Sequence, residues 1–89
     1  MDRTETRVLQ VVEIAKRYNS LDYPIVNRNS DVSAGWPLVY ELLKQLRSPD
    51  EVKKVLEPHR TGLNEVAKIV LDELVERGIK EYQESLLQM

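Results

Sequence analysis

The chain has 89 residues, with 13 Lys and Arg against 15 Asp and Glu and a formal net charge of −2 when His59 is neutral. At this length the sequence holds one hydrophobic core, so residues 1–89 are expected to form a single helical domain. The absence of cysteine excludes disulfides and thiolate chemistry, and the acidic balance excludes a body that clings to nucleic acid over its whole surface.

No run of about 18 apolar residues exists, so no membrane span is expected. The start, Met1-Asp2-Arg3-Thr4-Glu5, is charged and polar and does not read as a secretory leader. Together with the missing cysteines this favours a cytoplasmic address. His59 is the single histidine. A zinc site would need three carboxylates around it, and a general base would need an orienting acid and a nucleophile nearby. The expectation is therefore no metal, no cofactor and no enzymatic activity. Residues 27–31 alternate oxygen-bearing side chains in the manner of a calcium loop, but Val32 stands where the loop glycine belongs and Leu38 where the bidentate Glu belongs.

In chain order, the first predicted helix covers about residues 3–18. Asp2 is its expected cap, with Glu5 in capping-box spacing. Val8, Val11, Val12 and Ala15 recur at helical intervals. Residues 19–35 show no helical period, contain Pro24 and crowd turn-forming residues, which predicts a long ordered loop. Its Leu21, Tyr23, Ile25 and Val26 are expected to pack back on the body.

The second helix is predicted at 37–47, opening at Pro37 because proline fits a first helical turn. Ser48-Pro49-Asp50-Glu51 is a capping box that opens a third helix at 49–57, and Pro58 is expected to stop it. The fourth helix is predicted at 63–87, capped somewhere in 61–64. The ladders Glu73–Arg77–Glu81 and Glu76–Lys80–Glu84 run straight across Gly78. A mid-helix glycine costs only about 1 kcal/mol relative to alanine, so one continuous helix is expected.

The result is an all-α fold, a compact bundle of four helices. Its expected core is Val8, Val12, Ala15, Trp36, Leu38, Leu42, Leu46, Val55, Leu63, Ala67, Val70 and Leu74. A fourth helix of roughly 36 Å against a second of roughly 17 Å, at 1.5 Å per residue, leaves its last turns overhanging. Those turns carry Ile79, Tyr82, Leu86 and Leu87, and either helix one or a second copy of the chain would cover them.

Trp36 and Tyr40 lie one turn apart and flank the loop. With Tyr23, Arg28, Ile79, Tyr82 and Leu86 they are the candidate partner-binding residues, since Trp, Tyr and Arg are the usual interface anchors. The expected function is a small non-enzymatic protein–protein interaction or regulatory module, self-associating through the C-terminal helix.

A second possibility rests on 58–64, where His59 and Arg60 precede a helix start with free amides. From residue 37 the chain runs as an apolar helix, then Ser48-Pro49-Asp50-Glu51-Val52 opening a short helix, then a turn. A helix follows that carries Leu71-Asp72-Glu73-Leu74-Val75-Glu76-Arg77-Gly78-Ile79. This order is similar to the tri-helical core of winged helix-turn-helix regulators, in which the recognition helix ends in a Leu-x-x-x-Gly-Ile-like turn into the wing. The resemblance covers about half of the chain. It implies a DNA-binding alternative with Arg60, Thr61, Asn64 and Lys68 facing the nucleic acid.

Overall fold

The computed structural model describes residues 3–88, and these fold into four α-helices. They are α1 (Arg3–Lys16), α2 (Arg28–Leu46), α3 (Pro49–Arg60) and α4 (Glu65–Leu87). Short 3-10 turns at Arg17–Asn19 and Ile25–Asn27 extend α1 and lead into α2. The expected cap at Asp2 lies outside the described residues. Ser48 caps α3 by accepting from the Glu51 amide at 3.3 Å, and Asn64 caps α4 by accepting from the Ala67 amide at 2.8 Å.

α1 runs antiparallel to α2. The Thr4 hydroxyl near its start donates to Gln45 at 3.2 Å, and Arg17 beyond its end reaches Asp31. α3 carries the chain back, so α2 and α4 lie parallel, with Arg28 against Glu73 and Tyr40 against Ser85. One core cluster joins all four helices, built on Val11, Val12, Val39, Leu42, Leu43, Val52, Val70, Leu71 and Leu74.

The seam between α2 and α4 explains two glycines. A Cβ on Gly78 would lie 2.5 Å from Val39 Cγ1 and 2.7 Å from Val39 Cβ, and one on Gly35 would lie 2.7 Å from both Ile14 Cδ1 and Leu74 Cδ2. Each glycine removes a side chain where the other helix must approach. α4 therefore runs unbroken through Gly78 and stays helical to Leu87. No strand follows Ile79 among the described residues, so the wing that the regulator resemblance implies does not form.

The largest departure from expectation is α2, which begins at Arg28 rather than at residue 37. The predicted loop 19–35 shrinks to the turn at 20–27. Pro37 sits inside the helix, where it removes one ladder hydrogen bond and costs about 3 kcal/mol relative to alanine. Tertiary contacts offset that cost. Val32, Gly35, Val39 and Leu42 recur at three and four residues and are all buried. Asp31 in the first turn complements the helix dipole.

α3 also passes its expected stop. Pro58 lies within it and the helix ends at Arg60. A proline withholds its own N–H but not those that follow, and the carbonyl four residues earlier belongs to exposed Lys54, where water can serve it. Of the expected core, Leu38, Leu46 and Val55 are half-buried against the cluster. Trp36 is half-buried at the rim of the seam instead of inside it. The close crossing at Gly78 leaves no room for an indole, and the Trp36 carbonyl oxygen lies only 3.4 Å from where a Gly78 Cβ would be.

The longer α2 also changes the overhang. Ile79 and Tyr82 pack on the core, Tyr40 stands edge-on to Tyr82 at 5.9 Å, and the Tyr40 hydroxyl donates to Ser85 at 3.1 Å. Thus α2 covers turns that were expected to need helix one or a second copy. Leu86 and Leu87 alone remain bare, at 52% and 86% exposure.

Candidate interaction surface

The α1–α2 turn is built around one carboxylate. Asp31 projects back from the first turn of α2, and its Oδ2 accepts from the Tyr18 hydroxyl at 2.6 Å and the Tyr23 hydroxyl at 2.9 Å. Its Oδ1 accepts from Arg17 Nη1 at 3.2 Å. The two tyrosine rings meet edge to face at 4.9 Å, a favoured aromatic geometry. Burial, and then the hydrogen bond to Asp31, push the Tyr18 hydroxyl well above the ordinary tyrosine range. A neutral tyrosine can donate to the carboxylate, whereas a tyrosinate would face it as a second negative charge.

A pair of asparagines closes the other side. The Asn64 amide N–H donates to Asn19 Oδ1 at 2.8 Å, Asn19 Nδ2 donates to the Gly62 carbonyl at 2.9 Å, and Asn64 Nδ2 donates to the Tyr18 carbonyl at 3.0 Å. The end of α1 and the start of α4 are thereby tied to each other by directional bonds. Backbone groups that a turn leaves unpaired find partners here.

On this scaffold the turn presents apolar side chains to solvent. Leu21 is 98% exposed, Val26 81% and Ile25 58%. The expected inward packing therefore holds for Tyr23 alone, because its hydroxyl has Asp31 to reach while its three apolar neighbours point away. A shallow hollow beside the turn is lined by Tyr18, Leu21, Tyr23, Ile25, Asn64 and Val66. Ile69, one turn beyond Val66 on α4, is 49% exposed. Composition alone pointed to apolar residues in this stretch, but no local sequence signal says which of them face out.

The other candidates fall into separate groups. Trp36, Tyr40 and Tyr82 form a row of edge-to-face contacts along the α2–α4 seam, with Arg77 over the Trp36 ring at 5.5 Å and Lys44 over Tyr40 at 5.8 Å. Ile79 packs beside this row on the core and Leu86 lies beyond it. Tyr23 belongs to the Asp31 cluster, and Arg28 pairs with Glu73 at 3.2 Å. The structure thus joins the aromatic members of the expected patch and places Tyr23 in a different contact.

The four residues that the regulator resemblance singled out all have partners within the chain. Arg60 pairs with Asp72 and more distantly with Glu57, and the bond to Asp72 holds its guanidinium above its ordinary value. Thr61 donates to the Pro58 carbonyl, Asn64 caps α4, and Lys68 lies 3.5 Å from Glu65. Beside Arg60, a groove of about 250 Å3 runs between α3 and α4 over Leu56, Leu71 and Val75, with Lys53, Glu57 and Asp72 on its rim.

Among the described residues no three His, Asp or Glu side chains come together to hold a metal ion, and no helix is long and apolar enough to cross a membrane. The chain matches no protein-family model, no curated protein and no solved structure.

Proposed function

We propose that this chain is a small non-enzymatic interaction module of the cytoplasm that binds protein through the turn at 20–26 and the end of α4, and that a second copy of the chain is its first partner to test. The observation that carries the reading is where the bare apolar side chains fall. Among the described residues seven large hydrophobics are exposed; three of them lie within 21–26, and two are Leu86 and Leu87. Exposed apolar groups scattered singly are ordinary, but neighbouring ones mark contact surfaces; here they form two patches, the turn beside the start of α4 and Leu86–Leu87 at its far end. In the closed form the turn that bears them is held by bonds to Asp31 and Asn19, so it presents them in one arrangement.

Replacing Leu21 and Val26 together by serine tests this reading. Exposed positions change stability by about 0.5 kcal/mol or less, so the variant should melt like the parent. The parent should show concentration-dependent shifts in its amide spectrum, and the variant should lose them. A parent monomeric at every concentration would discard the second copy. A large drop in the variant's melting temperature would make these residues structural and discard the surface itself. The DNA-binding alternative draws less support, because Arg60, Thr61, Asn64 and Lys68 are each engaged within the chain. Duplex-induced shifts across 60–68 that fade with added salt would restore it.

A further inference from the structure

The first half of α2 is helical against its own composition. Asn29, Ser30, Asp31, Val32 and Ser33 are weak helix formers and Gly35 is weaker still. Pro37 then interrupts the hydrogen-bond ladder, because the Ser33 carbonyl has no N–H four residues on. Between residues 28 and 36 only Val32 buries a side chain, and Gly35 contributes no side chain at all. Beyond the proline, Val39, Leu42 and Leu43 are completely buried.

Apart from buried Val32 and Gly35, what fixes the first half is a small number of polar bonds. Asp31 accepts from Tyr18, Tyr23 and Arg17, and Arg28 pairs with Glu73. Of the preceding turn only the Tyr23 ring packs inward, against the core and Tyr18, while Leu21, Ile25 and Val26 are in solvent. Few buried apolar contacts and dependence on a handful of exposed or half-buried bonds are the marks of a segment that opens below the global unfolding limit.

We propose that residues 20–36 open and close as a unit about Pro37, latched by Asp31, while α1, the second half of α2, α3 and α4 stay packed. In the closed form Gly35 lies under Ile14 Cδ1 and Leu74 Cδ2. The open form uncovers both side chains and moves the apolar turn away from α4. The bundle thus has two exposures of apolar surface, selected by one carboxylate. This inference rests on the contacts of residues 20–36 and does not require that the turn bind a partner.

Native-state hydrogen exchange on the full chain, read amide by amide in low denaturant, tests the unit. The amides of Val32, Ser33, Ala34, Gly35 and Trp36 should show protection at least about tenfold below those of Leu42, Leu43 and Lys44, with a weaker denaturant dependence. Asp31→Asn should lower the first group by roughly another tenfold, the loss of a charge-assisted bond, and leave the second group unchanged. Tyr23→Phe removes one donor only, and should shift the first group in the same direction by less, which keeps the test alive if Asp31→Asn fails to fold. Equal protection and equal denaturant dependence in both groups would overturn the proposal, as would variants that lower both groups together.

Discussion

At Val39, Leu42 and Leu43, α2 meets its neighbours through side chains with no solvent exposure, and Gly78 lets α4 come within contact of the Val39 branch. From Arg28 to Val32 the same helix is held by an ion pair and three hydrogen bonds to a single carboxylate. The first region is specified by shape and loses stability in proportion to volume changed. The second is specified by direction, and a change of one oxygen reaches it. A helix that looks uniform along its backbone therefore has a packed end and a latched end. Apolar burial couples many residues at once, while a polar latch couples only the groups that it joins.

Three substitutions test this contrast. Gly78→Val should have the largest effect, a loss of about 3 kcal/mol by overpacking. Its Cβ would meet the Val39 Cβ itself, which no rotamer change can move aside. Thermal melting would read the loss, and a variant as stable as the parent would show that the seam is looser than its distances say.

Tyr18→Phe should cost less, about 1.5 kcal/mol, the net value of a hydrogen bond to a charged acceptor. It should also alter the alkaline limb of stability. The folded state holds the Tyr18 proton more tightly than the unfolded chain, whose tyrosines ionise near 10. The stabilisation from this proton is thus fully present below pH 10 and is lost as pH climbs above it. Denaturant titrations over that range should fall more steeply for the parent than for Tyr18→Phe. Parallel curves would remove Tyr18 as the cause.

Gly35→Ala should have the smallest effect, within about 1 kcal/mol of the parent. The added methyl meets only Ile14 Cδ1 and Leu74 Cδ2, the far ends of flexible side chains, and alanine regains about 1 kcal/mol of helix propensity. Paired with Gly78→Val, it separates a glycine that a neighbour can accommodate from one that it cannot.

Much of this architecture is readable residue by residue. Ser48 three residues before Glu51 specifies the start of α3, and the ladders across Gly78 specify that α4 continues. The stripes of α1 and α4 identify Val8, Val12, Ala15, Ala67, Val70 and Leu74 as core, and all six are buried. The beginning of α2 is not readable in the same way. Asn29, Ser30, Asp31 and Ser33 favour turns locally, and Pro37 at a helix start is the commoner pattern. Of the interaction candidates, the one-turn spacing of Trp36 and Tyr40 is local and the structure keeps it, with Tyr82 added from α4. The exposure of Leu21, Ile25 and Val26 depends on where Tyr23 finds its acceptor, eight residues away in sequence.

Local signals account for the all-α class, the Ser48 cap of α3 and the apolar faces, because caps and helical periodicity act over one or two turns; among residues 61–64 they leave the cap of α4 open, and the structure assigns it to Asn64. The nine-residue extension of α2, the reason for Gly35 and Gly78 and the outward turn come instead from tertiary contacts. Those depend on groups that meet across the fold: Asp31 with Tyr18 from α1's end, Gly78 with Val39, Asn64 with Asn19. The energy of each such meeting exists only once the chain has closed around it, so no local window of residues contains it.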